Sequence, residues 1–259
     1  MGVSANIHPN AKIGYGTTVE PFATVGDNVI IGENCWIGPG AVLMAGTRLG
    51  NNCKVFPGAV IGAIPQDLKF KGEDTTCEIG DDTTIRECVT INRGTSENHK
   101  TSIGKNCLIM AYVHVAHDCE IGNSVILTNN VTLAGHVIIE DFAILEGLVA
   151  VQQFVRIGAH AFVTGSSLVR KNVPPFVKAA REPLAYAGIN SIGLKRRSIE
   201  DKTISAIETI YKNLFVLQKN LSAGMQMVEN EIPESPEKEQ ILSFIKSSEK
   251  GVIRSMLQK

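Results

Sequence analysis

Three histidines, a carboxylate and an amide recur at spacings that could build a reactive surface. His114 and His117-Asp118 lie in YVHVAHDCE, His136 in LAGHV, and Gln153 in AVQQF. Eighteen residues separate His117 from Gly135 and another eighteen separate Gly135 from Gln153, with His136 one residue off that column. In a chain that repeats every eighteen residues these groups share one edge, and Gly135 leaves a ligand room against the backbone. Two chemistries suit such a wall. An imidazole near its ordinary pKa of ~6.5 can abstract a proton at neutral pH, with Asp118 fixing the tautomer of His117 and stabilising the imidazolium. Alternatively, His114, His117 and His136 form a ligand set for a divalent metal. Corner histidines satisfied by backbone carbonyls are the third reading.

The elements that must position them follow from a six-residue period. Of the 28 positions taken every sixth residue from Ile7 to Val169, 25 are Ile, Val or Leu; the exceptions are Asp67, Glu73 and Glu97. Chance would fill about seven. Two residues before each aliphatic sits a small or β-branched residue, such as Ala23, Cys35, Thr47, Cys53, Cys107 or Val125. Glycine often follows the aliphatic, as at Gly14, Gly32, Gly50, Gly104 and Gly122. Hexapeptide periodicity of this kind predicts a parallel β-helix, three hexapeptides to a triangular coil, so residues eighteen apart stack. Twenty-eight slots predict about nine coils and a prism ~45 Å long at ~4.8 Å per coil. Five of the six cysteines share the small-residue phase and read as core fillers; only Cys88 departs from it.

Two polar segments interrupt the repeat without losing its phase, 62–78 and 92–102, and are expected to project as loops. The first carries Asp67 and Lys69; a tolerated insertion without a role is an open reading for both, more so for the second. The prism, residues 1–175, is expected to end where Pro174-Pro175 stop strand pairing. Residues 176–259 then read as a linker and a helical domain. Ser198 with Asp201 resembles a capping box, Ser235-Pro236 opens a second helix, and Gly251 caps it. Between 170 and 197 seven basic residues face one acid, Glu182, which suggests phosphate groups or an acidic partner.

Composition closes off other classes. The 259 residues carry a net charge of −1, which argues against general nucleic-acid binding. No secretory signal and no apolar run of ~18–20 residues is visible, so a cytoplasmic chain without stable membrane insertion is expected.

HVAHDCEIGN, LAGHV and AVQQF, together with QDLK at 66–69, IRECVTINRGT at 85–95, NVPP at 172–175 and GINSIGLKRRS at 188–198, resemble the acyl-carrier-protein-dependent UDP-N-acetylglucosamine O-acyltransferases of lipid A biosynthesis. The resemblance covers nearly the whole chain. It implies a left-handed parallel β-helix with a C-terminal α-helical tail, and a homotrimer with sites between subunits. It further implies transfer of a 3-hydroxyacyl group from acyl carrier protein to the 3-position of UDP-N-acetylglucosamine, the first step of that pathway. The carrier thioester is then the co-substrate, with no cofactor and no metal. By resemblance His117 is the general base, Asp118 the acid beside it, and Gly147 the backbone donor to the oxyanion. Asp67, Lys69, His114 and His136 match sugar- and acyl-contacting positions. Gln153, Asn190 and Arg197 match residues that hold the uridine diphosphate, and Arg196 suits both diphosphate and the acidic carrier. Gly165 matches an acyl-chain ruler, where glycine implies a longer chain. Gln152, Ile192 and Pro183 depart from the residues common in the family around the nucleotide. The repeat alone also admits a related N-acyltransferase, a zinc hydratase, or a non-catalytic scaffold.

Overall fold

A two-residue strand followed by a four-residue corner is the unit that the period builds. The computed structural model describes residues 4–255. Among them, twenty-five short strands from Asn6–Ile7 to Leu168–Val169 wind into three parallel sheets. The first sheet holds nine strands, the second eight, and the third eight plus two further strands after the coil. The architecture is a left-handed parallel β-helix followed by helices. Successive strands of one sheet pair at a spacing of eighteen, as in Thr24↔Val42, Thr132↔Ala150 and Ile126↔Ile144. The three phased positions that are not aliphatic, Asp67, Glu73 and Glu97, lie in loops. The prism therefore has just over eight coils rather than nine.

The phased aliphatic of each strand points inward and is buried from Val25 onward. The small column has a second job. The thiols of Cys35, Cys53, Cys107 and Cys119 donate to the carbonyls of Gly50, Gly80, Gly122 and Ala134 at 3.1–3.2 Å. The Thr17 and Thr83 hydroxyls do the same to Gly32 and Gly104 at 2.7 and 2.8 Å. All six cysteines are free, and only Cys88 is exposed. Its departure from phase has a conformational cause. The residue three past each aliphatic turns the corner with φ near +60°, and Cys88 occupies that position at 56°. Asn28, Asn34, Asn52, Asn106 and Asn130 hold it elsewhere, as do Asp118 and His136. An L side chain there costs about 1–2 kcal/mol, least for Asn and Asp, and the stacked coils over-determine it.

Strand pairing does not stop at Pro174-Pro175 as expected. Val177–Ala180 pairs in parallel with Phe162–Val163, and Ala185–Ile189 returns antiparallel to it. Then come α1 (Ser191–Arg196), α2 (Asp201–Lys212) running into a π-turn (Asn213–Leu217), α3 (Leu221–Glu231) and α4 (Pro236–Lys246). The capping box expected at Ser198 is absent: Glu200 precedes α2 without a side-chain bond, and Ser198 has φ of 59°. Ser235 does cap α4, accepting from the Lys238 N–H at 3.1 Å. Gly251, expected as its C-cap, lies beyond Ser247, which fills that place. The tail is fixed to the prism by Tyr211, whose hydroxyl donates to the Pro175 carbonyl, and by Arg156, which donates to Ser247 and stacks over Phe244. No helix among the described residues is long and apolar enough to cross a membrane.

Candidate active site

Both interruptions of the repeat leave the prism at the same edge, the corner that follows the strands of the first sheet. One departs after Val60–Ala63 and the other after Thr90–Asn92. The next coils on that edge carry His117-Asp118, then Gly135-His136, then Gln153-Phe154. His117 is 9% exposed and Asp118 1%. His117 Nδ1 lies 2.7 Å from Asp118 Oδ2, so Nδ1 carries the proton and Nε2 presents its lone pair. A Cβ on Gly135 would stand 2.7 Å from both Cε1 and Nε2 of His117, which shows how closely the imidazole lies on this glycine's backbone. His136 meets His117 edge to face with ring centroids 5.2 Å apart and stacks on Phe154 at 4.6 Å.

Asp118 is anchored by a residue the sequence did not single out. Thr95, in the second loop, donates its N–H to Oδ1 at 2.8 Å and its hydroxyl to Oδ2 at 2.7 Å. Burial pushes the Asp118 carboxyl up, but the bonds from His117 and Thr95 outweigh it and hold the group below its usual value. Glu97 of the same loop reaches His136 Nε2 at 3.3 Å, and Asp118 Oδ2 lies 3.6 Å from that nitrogen. The second loop is therefore part of the site and not a bystander. A run reading RGTSENHK gives no periodic cue for this, because the contact closes across a coil.

His117, Asp118 and His136 place ligand-type atoms within 4.8 Å of one another. His114, a member of the metal set considered from sequence, does not join them. It stands outward on the first sheet with Nδ1 2.8 Å from the Thr90 hydroxyl, and burial pushes its imidazole down, toward the neutral form. Asp118 accepts two hydrogen bonds from Thr95 and one from His117. This donor pattern favours a hydrogen-bonded dyad over an ion.

The remaining expected residues divide among the edges. Asp67 and Lys69 ride on the first loop, where Asp67 Oδ1 accepts the Lys69 N–H at 2.9 Å; that loop leaves two strands above the His117 coil, about 10 Å along the axis. Gln153 shares the His117 edge. Gly147 does not: it lies in the corner after Ile144–Leu145 of the third sheet, stacked against Gly165, whose Cβ would stand 3.2 Å from the Gly147 carbonyl oxygen. Gly147 therefore belongs with the Gly165 column. Within one protomer the backbone beside His117 is that of Gly135, not that of Gly147. Asn190 caps α1, accepting from Gly193 N–H at 3.1 Å and donating to the His160 carbonyl at 2.9 Å. Arg197 lies 4.3 Å over the Phe142 ring, and burial lowers its guanidinium pKa. Asn190 and Arg196 line a groove of about 390 Å³ against Ile144 and Phe162 on the third sheet.

The faces differ in chemistry. The second sheet points Lys12, Arg48, Glu78, Glu120 and Arg156 outward. The first presents Val42, Val60, Thr90, His114, Thr132 and Ala150, with no carboxylate or ammonium. The third presents Trp36, Leu108, Ile126, Ile144 and Phe162, with Lys54 and Lys178 as its charges.

Comparison with known proteins agrees with this fold. Residues 172–253 match the family described as UDP N-acetylglucosamine O-acyltransferase, domain 2, and residues 4–35, 28–63 and 100–135 match bacterial transferase hexapeptide repeats. An acyl-[acyl-carrier-protein]–UDP-N-acetylglucosamine O-acyltransferase of Herminiimonas arsenicoxydans is 45% identical over 258 residues, covering 97% of this chain and 98% of that one. The equivalent protein of Thermodesulfovibrio yellowstonii is 45% identical over 252 residues, with the same coverage. A solved UDP-N-acetylglucosamine acyltransferase from Bacteroides fragilis superimposes with a TM-score of 0.95 at 46% identity, covering 98% of this chain and 100% of that one.

Proposed function

This chain belongs to the UDP-N-acetylglucosamine O-acyltransferases, and from that membership we infer that His117 is the base of an acyl transfer completed between protomers. The chain is an acyltransferase that moves an acyl group from acyl carrier protein to UDP-N-acetylglucosamine in lipid A biosynthesis. The observation that carries the mechanism is the His117–Asp118 bond with Nε2 left free above Gly135.

In this reading His117 Nε2 takes the proton from the sugar 3-hydroxyl as its oxygen attacks the carbonyl carbon of a 3-hydroxyacyl thioester. The negative charge that develops on the carbonyl oxygen is met by the Gly135 N–H, which donates to no acceptor among the described residues. The C–S bond then breaks, and the imidazolium returns its proton to the departing carrier thiolate. Asp118 stabilises the imidazolium in between. A positioned base contributes about 10²–10⁴-fold, and one oxyanion donor about 2.7–4 kcal/mol. His136, Asp67 and Lys69 orient the sugar; His114, neutral and half-buried, contacts the acceptor or acyl group. Proton transfer and one backbone dipole suffice, so neither metal nor cofactor is invoked.

The face chemistry supports a homotrimer. Packing the uncharged first sheet of one protomer toward the apolar third sheet of the next leaves the charged second sheet in water. That packing brings Asn190, Arg196 and Arg197 of a neighbour toward His117 and Gln153, where they can hold the diphosphate and uridine. Gly147, half-buried, and Gly165, exposed, stand on the third edge and then line the acyl chain, and glycine at 165 leaves room for a long one. Arg170, Lys171 and Arg254 surround an apolar pocket of about 410 Å³, chemistry suited to an acidic carrier protein. Six free cysteines, one of them exposed, fit the reducing cytoplasm. Mass spectrometry of products made from mixed acyl carriers and UDP-sugars tests the reading. A UDP-N-acetylglucosamine ester of a long 3-hydroxy acid is expected; an amide product, or no product, contradicts it.

A further inference from the structure

The loop between Thr90–Asn92 and Lys100–Ile103 alters the corner at Asp118 relative to the corners that follow it along the prism. In the regular corners the residue with positive φ donates its N–H to a carbonyl one coil back. Tyr112 donates to Glu87, Ser124 to Lys105, Asn130 to Ala111, His136 to His117 and Leu148 to Asn129. At Asp118 that bond is replaced. Its N–H goes to the Thr101 hydroxyl at 2.8 Å, while its carboxylate receives the N–H and hydroxyl of Thr95. Both ends of the inserted loop are thus tied to one residue, and Asp118 is held from its backbone and from both carboxylate oxygens.

Thr95 is itself fixed. It is 6% exposed, its carbonyl accepts the His99 N–H at 2.8 Å, and its hydroxyl oxygen accepts the Glu97 N–H at 3.2 Å. That last bond leaves the hydroxyl proton pointed at Asp118. Because Oδ2 takes both the Thr95 hydroxyl and the His117 Nδ1–H, the threonine sets the plane in which the carboxylate meets the imidazole.

We propose that Thr95 is a positioning residue for the reaction: by clamping Asp118 it holds His117 in the tautomer and orientation that present Nε2 to substrate. The proposal rests on the reading of His117 as the base. Thr95 touches no reacting atom and acts only through Asp118, so its effect must vanish when Asp118 can no longer respond.

That condition supplies the test, a double-mutant cycle on the full-length protein with Thr95→Val, Thr95→Ser, Asp118→Asn and Thr95→Val/Asp118→Asn. Thr95→Val is expected to lower kcat at least about tenfold, the order by which outer partners that orient metal-bound histidines act, with little change in KM for the nucleotide sugar. Thr95→Ser keeps the hydroxyl and should retain most of kcat. Thr95→Val added to Asp118→Asn should change kcat by less than about twofold. Nitrogen NMR of His117 should show the Nδ1–H form in the parent and in Thr95→Ser, and mixed tautomers in Thr95→Val. An undiminished kcat in Thr95→Val, an equal loss in Thr95→Ser, or the same loss repeated in the Asp118→Asn background overturns the proposal. Full activity in Asp118→Asn would instead remove the dyad on which it rests.

Discussion

Two edges of the same prism have been put to opposite uses. The edge after the second sheet is regular except at Glu140. Glycines at 14, 32, 50, 80, 104, 122 and 158 pack so tightly that an added Cβ would stand within 3 Å of the next coil. Asn51, Asp81, Asn123 and Asp141 side chains accept the corner N–H groups of the coil before, at 2.7–2.9 Å. Each coil there satisfies its neighbour, so stability accumulates along the axis. The edge after the first sheet gives that ladder up. Ala116, Ala134 and Gln152 replace the glycines, two loops enter, and buried imidazoles and a carboxylate take up the hydrogen bonding. A repeat can carry chemistry where it abandons its own capping rule, provided its other corners keep the coil rigid.

A pair of Gly→Ala substitutions, one on each edge, can break that comparison. Gly135→Ala should have the larger effect on turnover. Its Cβ falls 2.7 Å from the ring of His117, which cannot retreat without losing Asp118. Misplacing the base by about an ångström costs on the order of 100-fold in kcat, and crowding the buried ring removes about 1–3 kcal/mol of stability, too little to explain that loss. Steady-state kinetics beside a melting curve checks it; a normal kcat would show that the imidazole has slack. Gly122→Ala should do the reverse. Its Cβ would meet Asp141 Oδ1 at 2.3 Å and the Asp141 N at 2.8 Å. Forcing it in should cost about 1–3 kcal/mol in chemical denaturation. Among molecules still folded kcat should be unchanged; a selective loss of activity would place chemistry on the second edge as well.

The sequence carried the prism because its signal is periodic. The aliphatic column marks every strand, and the register it implies is the one observed in Thr24↔Val42 and every other regular pair. It also placed His117 on Gly135, since both lie on the eighteen-residue column. Contacts that cross the coil left no such mark. Thr95 finds Asp118 only because a loop folds back, and nothing in RGTSENHK encodes the distance. Gly147 lies on a different edge from His117 within one protomer for a related reason: the corner a residue occupies is decided by which sheet precedes it. The break expected at Pro174-Pro175 failed because the chain passes the prolines in a corner and resumes pairing at Val177. Helices α1 and α3 are short and have mixed composition, so their starts show only as Asn190 and Asn220 caps.

The claim that the irregular edge holds the chemistry stands or falls on His117. Purified His117→Ala should retain the β-helix by circular dichroism and the oligomeric state of the parent by light scattering. Its turnover of acyl carrier thioester with UDP-N-acetylglucosamine should fall by about 10²–10⁴-fold. Turnover within a few-fold of the parent would contradict the account and move the base elsewhere.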